Sequence, residues 1–218
     1  MTIIRRSGAV AALLLTTGLV QAAGDADRGA TIVMQGDGQG GAPCLACHGT
    51  DGAGNDAAGF PRLAGLDAGY LAAQLRDYRD GRRNSPVMAP NAAHLSDQQI
   101  ADVAAYYALQ TTRLMPAEQP ADLLVRGEKL VKQGDWDNYI VPCESCHGTG
   151  AQGVGATFPA LSGQHPTYLR QQLEAWKNGT RSNDPNQLML AIAARLSDEQ
   201  IQAVSAYLSQ QPTQGSKP

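Results

Sequence analysis

Apolar residues recur with helical spacing in two matching stretches of the chain, at positions i, i+1, i+4, i+5 and i+8. This face carries Tyr70, Leu71, Gln74, Leu75 and Tyr78 in the first stretch and Tyr168, Leu169, Gln172, Leu173 and Trp176 in the second. Gly81 and Gly179 follow the two stretches, and glycine suits a helix C-terminus because it adopts positive φ at little cost. The pattern predicts one helix in each stretch.

A second pair of helices is predicted further along. Ser96 stands three residues before Gln99, and Ser197 stands three residues before Gln200, which is the spacing of a capping box at a helix N-terminus. An apolar run follows in both places. Because no stretch combines sustained alternation with β-branched residues, we predict an all-α chain with long glycine-rich loops.

These matches belong to a duplication that covers most of the chain. Corresponding motifs stand 98 to 101 residues apart in unchanged order, as in a repeated domain. The clearest pairs are 44–49 with 143–148, 60–63 with 158–161, and 95–100 with 196–201. We therefore predict two tandem domains, 24–115 and 123–213, joined by the proline-containing linker 116–122.

The N-terminus has the three regions of a secretory signal peptide. Two arginines at positions 5 and 6 precede an apolar run over 9–20 and small residues up to Ala22 and Ala23. We predict a signal peptide of residues 1–23, cleaved after Ala22 or Ala23, and a periplasmic location. The run is shorter than the roughly 20 residues of a membrane-spanning helix, which disfavours a retained anchor. We expect general secretion, although an arginine pair also occurs in twin-arginine signals.

Charge excludes one class of partner. Without residues 1–23 the chain has 20 acidic and 15 basic residues, a net charge of −5, whereas nucleic-acid binding requires a basic face. We therefore expect no nucleic-acid partner. The excess of negative charge is unevenly distributed, since residues 24–120 carry a net charge of −4 and residues 121–218 carry −1.

All four cysteines lie in two C-x-x-C-H motifs, at 44–48 and 143–147. This spacing is compatible with covalent haem attachment, a zinc site, a dithiol redox pair or disulfides. Haem attachment needs two thiols on one turn and a histidine beside the second thiol, and both motifs supply them. The chain has only two Phe and two Trp against 24 Gly and 12 Pro, so a bulky apolar cofactor would complete each thin core.

The three other interpretations of the motifs explain less. Cys47 and Cys143 are separated by 95 residues, against roughly 15 to 20 in a zinc ribbon. A dithiol redox site requires a strand and helix that the pattern does not predict, and disulfides, although compatible with export, give no reason for the paired histidines. We predict two covalently bound haem c groups, attached through cysteines and ligated by histidines. The attachment residues are Cys44, Cys47, Cys143 and Cys146, and the iron ligands are His48 and His147.

The second iron ligand should recur at one place in both copies, and Met88 and Met189 correspond at an offset of 101 residues. The other methionines and histidines of the two domains do not correspond in this way, namely Met34, His94, Met115 and His165. Met88 lies in a stiff loop between two prolines, whereas the second copy has extra residues within 182–187. Ligation by His and Met raises a haem potential and closes the iron to external ligands.

With these motifs the chain resembles the dihaem class I cytochromes c of the cytochrome c4 type, from residue 24 to about residue 211. The resemblance rests on C-x-x-C-H, F-P-x-L and G-x-R in each half, followed by the methionine-bearing loop and the Leu-Ser-Asp helix. It implies two class I cytochrome c domains, each wrapped round a covalent haem.

The resemblance also implies roles for single residues. The carbonyls of Pro61 and Pro159 would accept from the second ring nitrogen of the haem-ligating histidines. The terminal helices of each domain would cross where a glycine faces a tyrosine, which pairs Gly29 with Tyr106 and Gly127 with Tyr207. Arg83 and Arg181 are then neighbours of the haem propionates, or alternatively surface arginines.

An iron closed by His and Met changes its oxidation state without binding a substrate, so we predict an electron carrier rather than an enzyme, with no catalytic residues. Its expected partners are redox proteins, a quinol-oxidising complex as donor and a terminal oxidase or reductase as acceptor. Peripheral association with a membrane stays open. The alternatives are a fixed dihaem subunit of a periplasmic dehydrogenase and a dihaem peroxidase, which would need an accessible iron.

Overall fold

The computed structural model describes residues 23–112 and 116–213. The predicted signal peptide, apart from Ala23, and residues 113–115 at the end of the predicted N-terminal domain lie outside these ranges. The described residues form ten α-helices and three short 3-10 helices, and their β-pairing is limited to three isolated bridges. The predicted all-α fold is confirmed. In the described ranges no helix is long and apolar enough to cross a membrane.

Five helices form each half. The N-terminal half contains α1 (Ala26–Gln35), α2 (Leu45–His48), α3 (Ala68–Arg79), α4 (Met88–Ala92) and α5 (Asp97–Leu109). The C-terminal half contains α6 (Ala121–Gln133), α7 (Glu144–His147), α8 (Pro166–Lys177), α9 (Leu188–Ala193) and α10 (Asp198–Ser209). The 3-10 helices span Trp136–Asn138, Thr149–Ala151 and Pro185–Gln187. Helix α6 begins two residues inside the segment that the sequence predicts as linker.

The first and last helices of each half pack tightly across a glycine. A Cβ atom at Gly29 would lie against the carbonyl oxygen of Asp102 and 2.9 Å from Tyr106 Cβ. At Gly127 it would lie 2.6 Å from Tyr207 Cβ. Only glycine allows backbones to approach this closely. The predicted pairing of each glycine with a tyrosine is confirmed.

Local signals set the helix ends. Both capping boxes form, with Ser96 Oγ accepting from Gln99 N at 3.2 Å and Ser197 Oγ accepting from Gln200 N at 3.1 Å. Gly81 follows the C-cap of α3 with φ of 74°, and Gly179 follows that of α8 with φ of 71°. These predictions are confirmed because each depends on a few neighbouring residues.

Helices α1, α3 and α5 enclose the N-terminal core, and α6, α8 and α10 enclose the C-terminal core. Tyr107, 1 % exposed, lies in the N-terminal core and donates from its hydroxyl to Gly49 O at 3.2 Å. Tyr106 donates to Thr50 O at 2.8 Å. Helix α5 therefore holds the segment that directly follows the first C-x-x-C-H motif.

Candidate haem sites and the domain interface

One continuous cavity of about 1270 Å³ extends through both halves of the molecule. Its walls include every residue that the sequence predicts to attach a haem, to hold its iron or to orient the iron-ligating histidine. These are Cys44, Cys47, His48, Pro61 and Met88 in the first half, and Cys143, Cys146, His147, Pro159 and Met189 in the second. Much of the remaining wall is apolar, for example Leu71 and Val103. The structure thus places the two predicted sites in a single space.

Each motif histidine is held by a proline carbonyl. His48 Nδ1 lies 3.1 Å from Pro61 O, and His147 Nδ1 lies 2.8 Å from Pro159 O. A carbonyl oxygen only accepts, so Nδ1 carries the proton and Nε2 keeps a free lone pair. Burial lowers the pKa of both histidines, although the carbonyl bond opposes it. Each ring is therefore neutral at neutral pH, as an iron ligand must be.

The paired cysteines lie on one helical turn. Cys44 is the N-cap of α2 and Cys47 lies three residues on, and Cys143 and Cys146 repeat this arrangement at α7. Residues three apart share a helix face. None of the four forms a disulfide, and burial raises the pKa of the Cys44 and Cys143 thiols to about 11. The spacing suits addition of two thiols to the two vinyl groups of one haem.

Met88 is the first residue of α4 and Met189 is the second residue of α9, and the N-termini of these two helices differ. Met88 N donates to Ser85 Oγ at 3.0 Å, whereas Met189 N donates to the Asp184 carboxylate at 2.7 Å. Each of these acceptors precedes a proline, but the second copy has two more residues before its methionine. These residues, Asn186 and Gln187, both have φ of 57° in the left-handed region. The insertion is absorbed there, and Met189 remains in the cavity wall.

These features fit a haem c in each half. The two thiols stand on one turn, the neutral imidazole has a free Nε2, the thioether belongs to the same wall, and apolar side chains enclose the space. Apolar enclosure favours a haem over a hydrated ion.

Arg83 and Arg181 lie buried between the two halves, with exposures of 4 % and 6 %. Arg83 donates to Gln74 Oε1 at 2.9 Å and to Gln172 Oε1 at 2.7 Å. Arg181 donates to Gln172 Oε1 at 2.8 Å and to Gln74 Oε1 at 3.2 Å. Each glutamine thus binds one arginine from each half. The alternative that these arginines lie on the surface is wrong, because each is buried against the other domain.

Aromatic rings complete this wall of the cavity. The Arg83 guanidinium carbon lies 4.7 Å from the Tyr78 ring centroid, and that of Arg181 lies 3.9 Å from the Trp176 ring centroid. Tyr168 OH accepts from Arg83 at 2.8 Å. Burial alone would raise the pKa of Tyr168, but the two arginines lower it. All five side chains line the cavity, so its interdomain wall is cationic and suited to the carboxylates of a haem.

Sequence reasoning assigned no function to the residues that complete this interface. Gln74 and Gln172 stand at the same place on the apolar faces of their helices, and a repeated polar residue there was an available signal. Asn183 donates to Asp77 Oδ2 at 2.6 Å across the interface. His165 Nε2 lies 2.8 Å from Ala53 O of the other half. Nothing in the local sequence marks these two contacts.

The cytochrome c family model matches residues 26–109 and 124–212 of this chain. A thiosulfate dehydrogenase electron acceptor of Thiomonas intermedia is 48% identical over 181 residues, which are 81% of this chain and 82% of that protein. A cytochrome c4 of Pseudomonas aeruginosa is 41% identical over 201 residues, which are 90% of this chain and 94% of that protein.

Two solved structures have the same architecture. Reduced recombinant cytochrome c4 from Pseudomonas stutzeri has a TM-score of 0.76 at 36% identity, covering 87% of this chain and 100% of that chain. Thiosulfate dehydrogenase (TsdBA) from Marichromatium purpuratum has a TM-score of 0.80 at 41% identity, covering 85% of this chain but 40% of that longer chain. This chain therefore belongs to the cytochrome c family, as a dihaem cytochrome of the c4 type with one haem c bound covalently in each of its two domains.

Proposed function

We propose that this chain carries electrons between redox proteins in the periplasm and catalyses no reaction itself. The main evidence for this proposal is that each half of the cavity wall contains one histidine and one methionine that can hold an iron. Two protein ligands leave an iron no position for a substrate. The predicted signal peptide of residues 1–23 supports the location.

In each domain, different residues attach the haem, hold the iron and shield the site. The thiols of Cys44 and Cys47, or of Cys143 and Cys146, attach the haem, which supplies one-electron chemistry when bound. The histidine and methionine hold the iron, and the proline carbonyl orients the imidazole and strengthens it as a ligand. The apolar wall excludes water, and the buried arginines offset the charge of the propionates.

Carbon monoxide tests whether the irons are closed. The reduced holoprotein should keep its absorption spectrum under carbon monoxide at neutral pH. The variants Met88→Ala and Met189→Ala serve as positive controls, since each opens one iron and should bind the gas. Rapid binding by the unaltered protein would favour the peroxidase alternative.

A thiosulfate dehydrogenase is the donor that the relatives favour. Two proteins named thiosulfate dehydrogenase electron acceptor, from Thiomonas intermedia and Stutzerimonas stutzeri, are each 48% identical to this chain. Four relatives named cytochrome c4 are 39% to 43% identical. In the Marichromatium purpuratum structure the similar region is part of a longer thiosulfate dehydrogenase chain. We therefore place this chain as acceptor of electrons from thiosulfate oxidation.

Reduction kinetics distinguish the two donors. The oxidised holoprotein is mixed with a thiosulfate dehydrogenase and thiosulfate, and in parallel with a quinol-oxidising complex and its quinol, while haem reduction is followed by absorbance. Faster reduction by the dehydrogenase supports the assignment, and faster reduction by the quinol-oxidising complex contradicts it. Stable co-purification with the dehydrogenase would identify a fixed subunit rather than a shuttle.

A further inference from the structure

Arg62 is a buried cation between the two domains. Its exposure is 3 %. The guanidinium donates from Nε to Gly163 O at 3.0 Å, from Nη2 to Ser162 O at 2.9 Å, and from Nη1 to Ala64 O. All three acceptors are neutral carbonyls, and no carboxylate of the described residues forms an ion pair with Arg62.

The guanidinium of Arg62 lies between corresponding backbone positions of the two domains. Ala64 and Ser162 correspond in the duplication, at the same offset of 98 residues as Pro61 and Pro159. The guanidinium therefore lies between equivalent carbonyls of the two domains, each three residues beyond a proline that binds a haem-ligating histidine. Pro61 and Leu63 line the haem cavity, whereas Arg62 lies behind that wall. It does not contact the haem space directly.

Unlike Arg83 and Arg181, which correspond to each other in the duplication, Arg62 has no arginine counterpart in the second domain. Arg62 N donates to Gln164 Oε1 at 2.8 Å, and Gln164 Nε2 donates to Arg62 O at 2.9 Å. At the corresponding places the sequence has Ala160 and Leu66, and Ala160 packs against the apolar core cluster that contains Leu66. One polar pair and one apolar pair thus occupy equivalent positions.

The free-energy cost of burying the Arg62 charge requires an explanation. A buried charge without a counter-charge is unfavourable, and replacement of buried ionic groups by apolar side chains is often neutral or stabilising. Burial lowers the pKa of Arg62 to about 10, so the group is still protonated at neutral pH. A permanent positive charge in a poorly polarisable region stabilises an electron added nearby.

We propose that Arg62 raises the reduction potentials of both haems together. The inference rests on a haem c in each domain but not on the identity of the donor or acceptor. Because the guanidinium lies between equivalent backbone positions, neither haem is favoured over the other. Surface charges act differently, since solvent and salt screen them over about 10 Å.

The test is a spectroelectrochemical titration of the holoprotein variants Arg62→Gln, Arg62→Met and Arg62→Lys. Glutamine and methionine remove the charge, and methionine provides a second variant of apolar character should glutamine fail to fold. Lysine keeps the positive charge but cannot donate from a planar guanidinium to all three carbonyls. At an effective dielectric of about 20, a charge acting over roughly 12 Å changes an equilibrium about tenfold, which is about 59 mV for a one-electron couple. Both potentials should fall by this amount in the two neutral variants and stay near the unaltered values in Arg62→Lys.

Arg82→Gln is the matched control, because Arg82 is an exposed arginine of the same domain that pairs with Asp77 and Asp80. It should shift the potentials far less. A shift of only one haem in Arg62→Gln would overturn the shared role. Equal shifts in the lysine and glutamine variants would assign the effect to hydrogen bonding. Unchanged potentials with a lower urea midpoint would show that Arg62 only stabilises the contact between the domains, which would overturn the proposal.

Discussion

Gln172 of the C-terminal domain accepts a hydrogen bond from Arg83 of the N-terminal domain at 2.7 Å, and it accepts a second from Arg181 of its own domain at 2.8 Å. One amide oxygen therefore satisfies buried guanidinium groups from both halves. Gln74 makes the reciprocal pair of bonds. The arrangement joins the domains through the wall that the two haem sites share.

Replacing Gln172 by leucine should weaken the interface between the two domains, so that they unfold less cooperatively. It leaves buried N–H donors of two arginines without their acceptor, at a cost of about 1–3 kcal/mol for each unsatisfied group. We expect a lower urea midpoint and a transition that broadens or splits into two. Gln74→Leu should behave alike, and the exposed Gln133→Leu serves as the control. An unchanged single transition in both interface variants would contradict this account.

Denatured holoprotein should have the mass of the processed chain plus two haem groups, because thioether attachment survives unfolding. The double variant Cys44→Ser, Cys47→Ser should lose one haem, and the matching variant of Cys143 and Cys146 should lose the other. Mass spectrometry distinguishes these outcomes. Retention of two haems in either double variant would show that the attachment sites are misassigned.

Met88→Ala and Met189→Ala should each abolish one near-infrared sulfur-to-iron band and lower the potential of one haem. Loss of a thioether ligand destabilises the ferrous state, and each methionine belongs to a different half of the cavity wall. Near-infrared absorption with a redox titration measures both effects. Survival of both bands in one variant would mean that the iron of that domain has another ligand.

The sequence predicts what depends on neighbours along the chain. The capping box of Ser96 and Gln99 follows from a local motif and forms as predicted. The close contact at Gly29 is predicted by the resemblance to the cytochromes c4, and it also forms. The contact between Arg83 and Gln172 joins residues 89 positions apart, and no periodicity gives the docking of two domains. The buried Arg62 was missed for the same reason, since F-P-x-L accepts any residue at its third position.

Acid should destabilise the N-terminal domain more than the C-terminal one. Asp102 is 2 % exposed and accepts from Arg28 Nε at 2.8 Å, from Gln98 at 2.8 Å and from Asp25 N at 2.7 Å. The Arg28 hydrogen bond is the largest cause of the lowered pKa of Asp102, and burial opposes it. A depressed carboxyl pKa contributes stability above the unfolded value near 3.9, and this is lost as pH falls through the folded value.

The second domain provides the internal control, because Ala203 stands at the place of Asp102. Thermal unfolding followed at each haem between pH 7 and pH 3 should show the steeper loss in the N-terminal domain. Asp102→Asn should cost about 1.5–3 kcal/mol at neutral pH, as expected for charge-assisted hydrogen bonds, and should flatten the acid dependence. Equal acid sensitivity of the two domains would refute this role for Asp102.

Asp184 should lower the potential of the C-terminal haem. Its carboxylate lies 2.7 Å from Met189 N, whereas the corresponding acceptor at Met88 is the neutral Ser85 hydroxyl. Negative charge favours the ferric state. The net charges of −4 and −1 in the two halves predict the lower potential for the N-terminal haem, and Asp184 acts against that difference.

Two substitutions at these corresponding positions should therefore widen the separation between the two potentials. Asp184→Asn removes the charge and raises the C-terminal potential, while Ser85→Asp adds a charge and lowers the N-terminal one. Ser85→Asn controls for side-chain shape, and the Met88→Ala and Met189→Ala variants assign each redox wave to a domain. Because Asp184 also accepts from Trp176 Nε1 at 3.0 Å, asparagine, which keeps an acceptor oxygen, is preferred to alanine. A narrower separation in either charge variant would mean that hydrogen bonding at the methionine loop, rather than its charge, sets the potential.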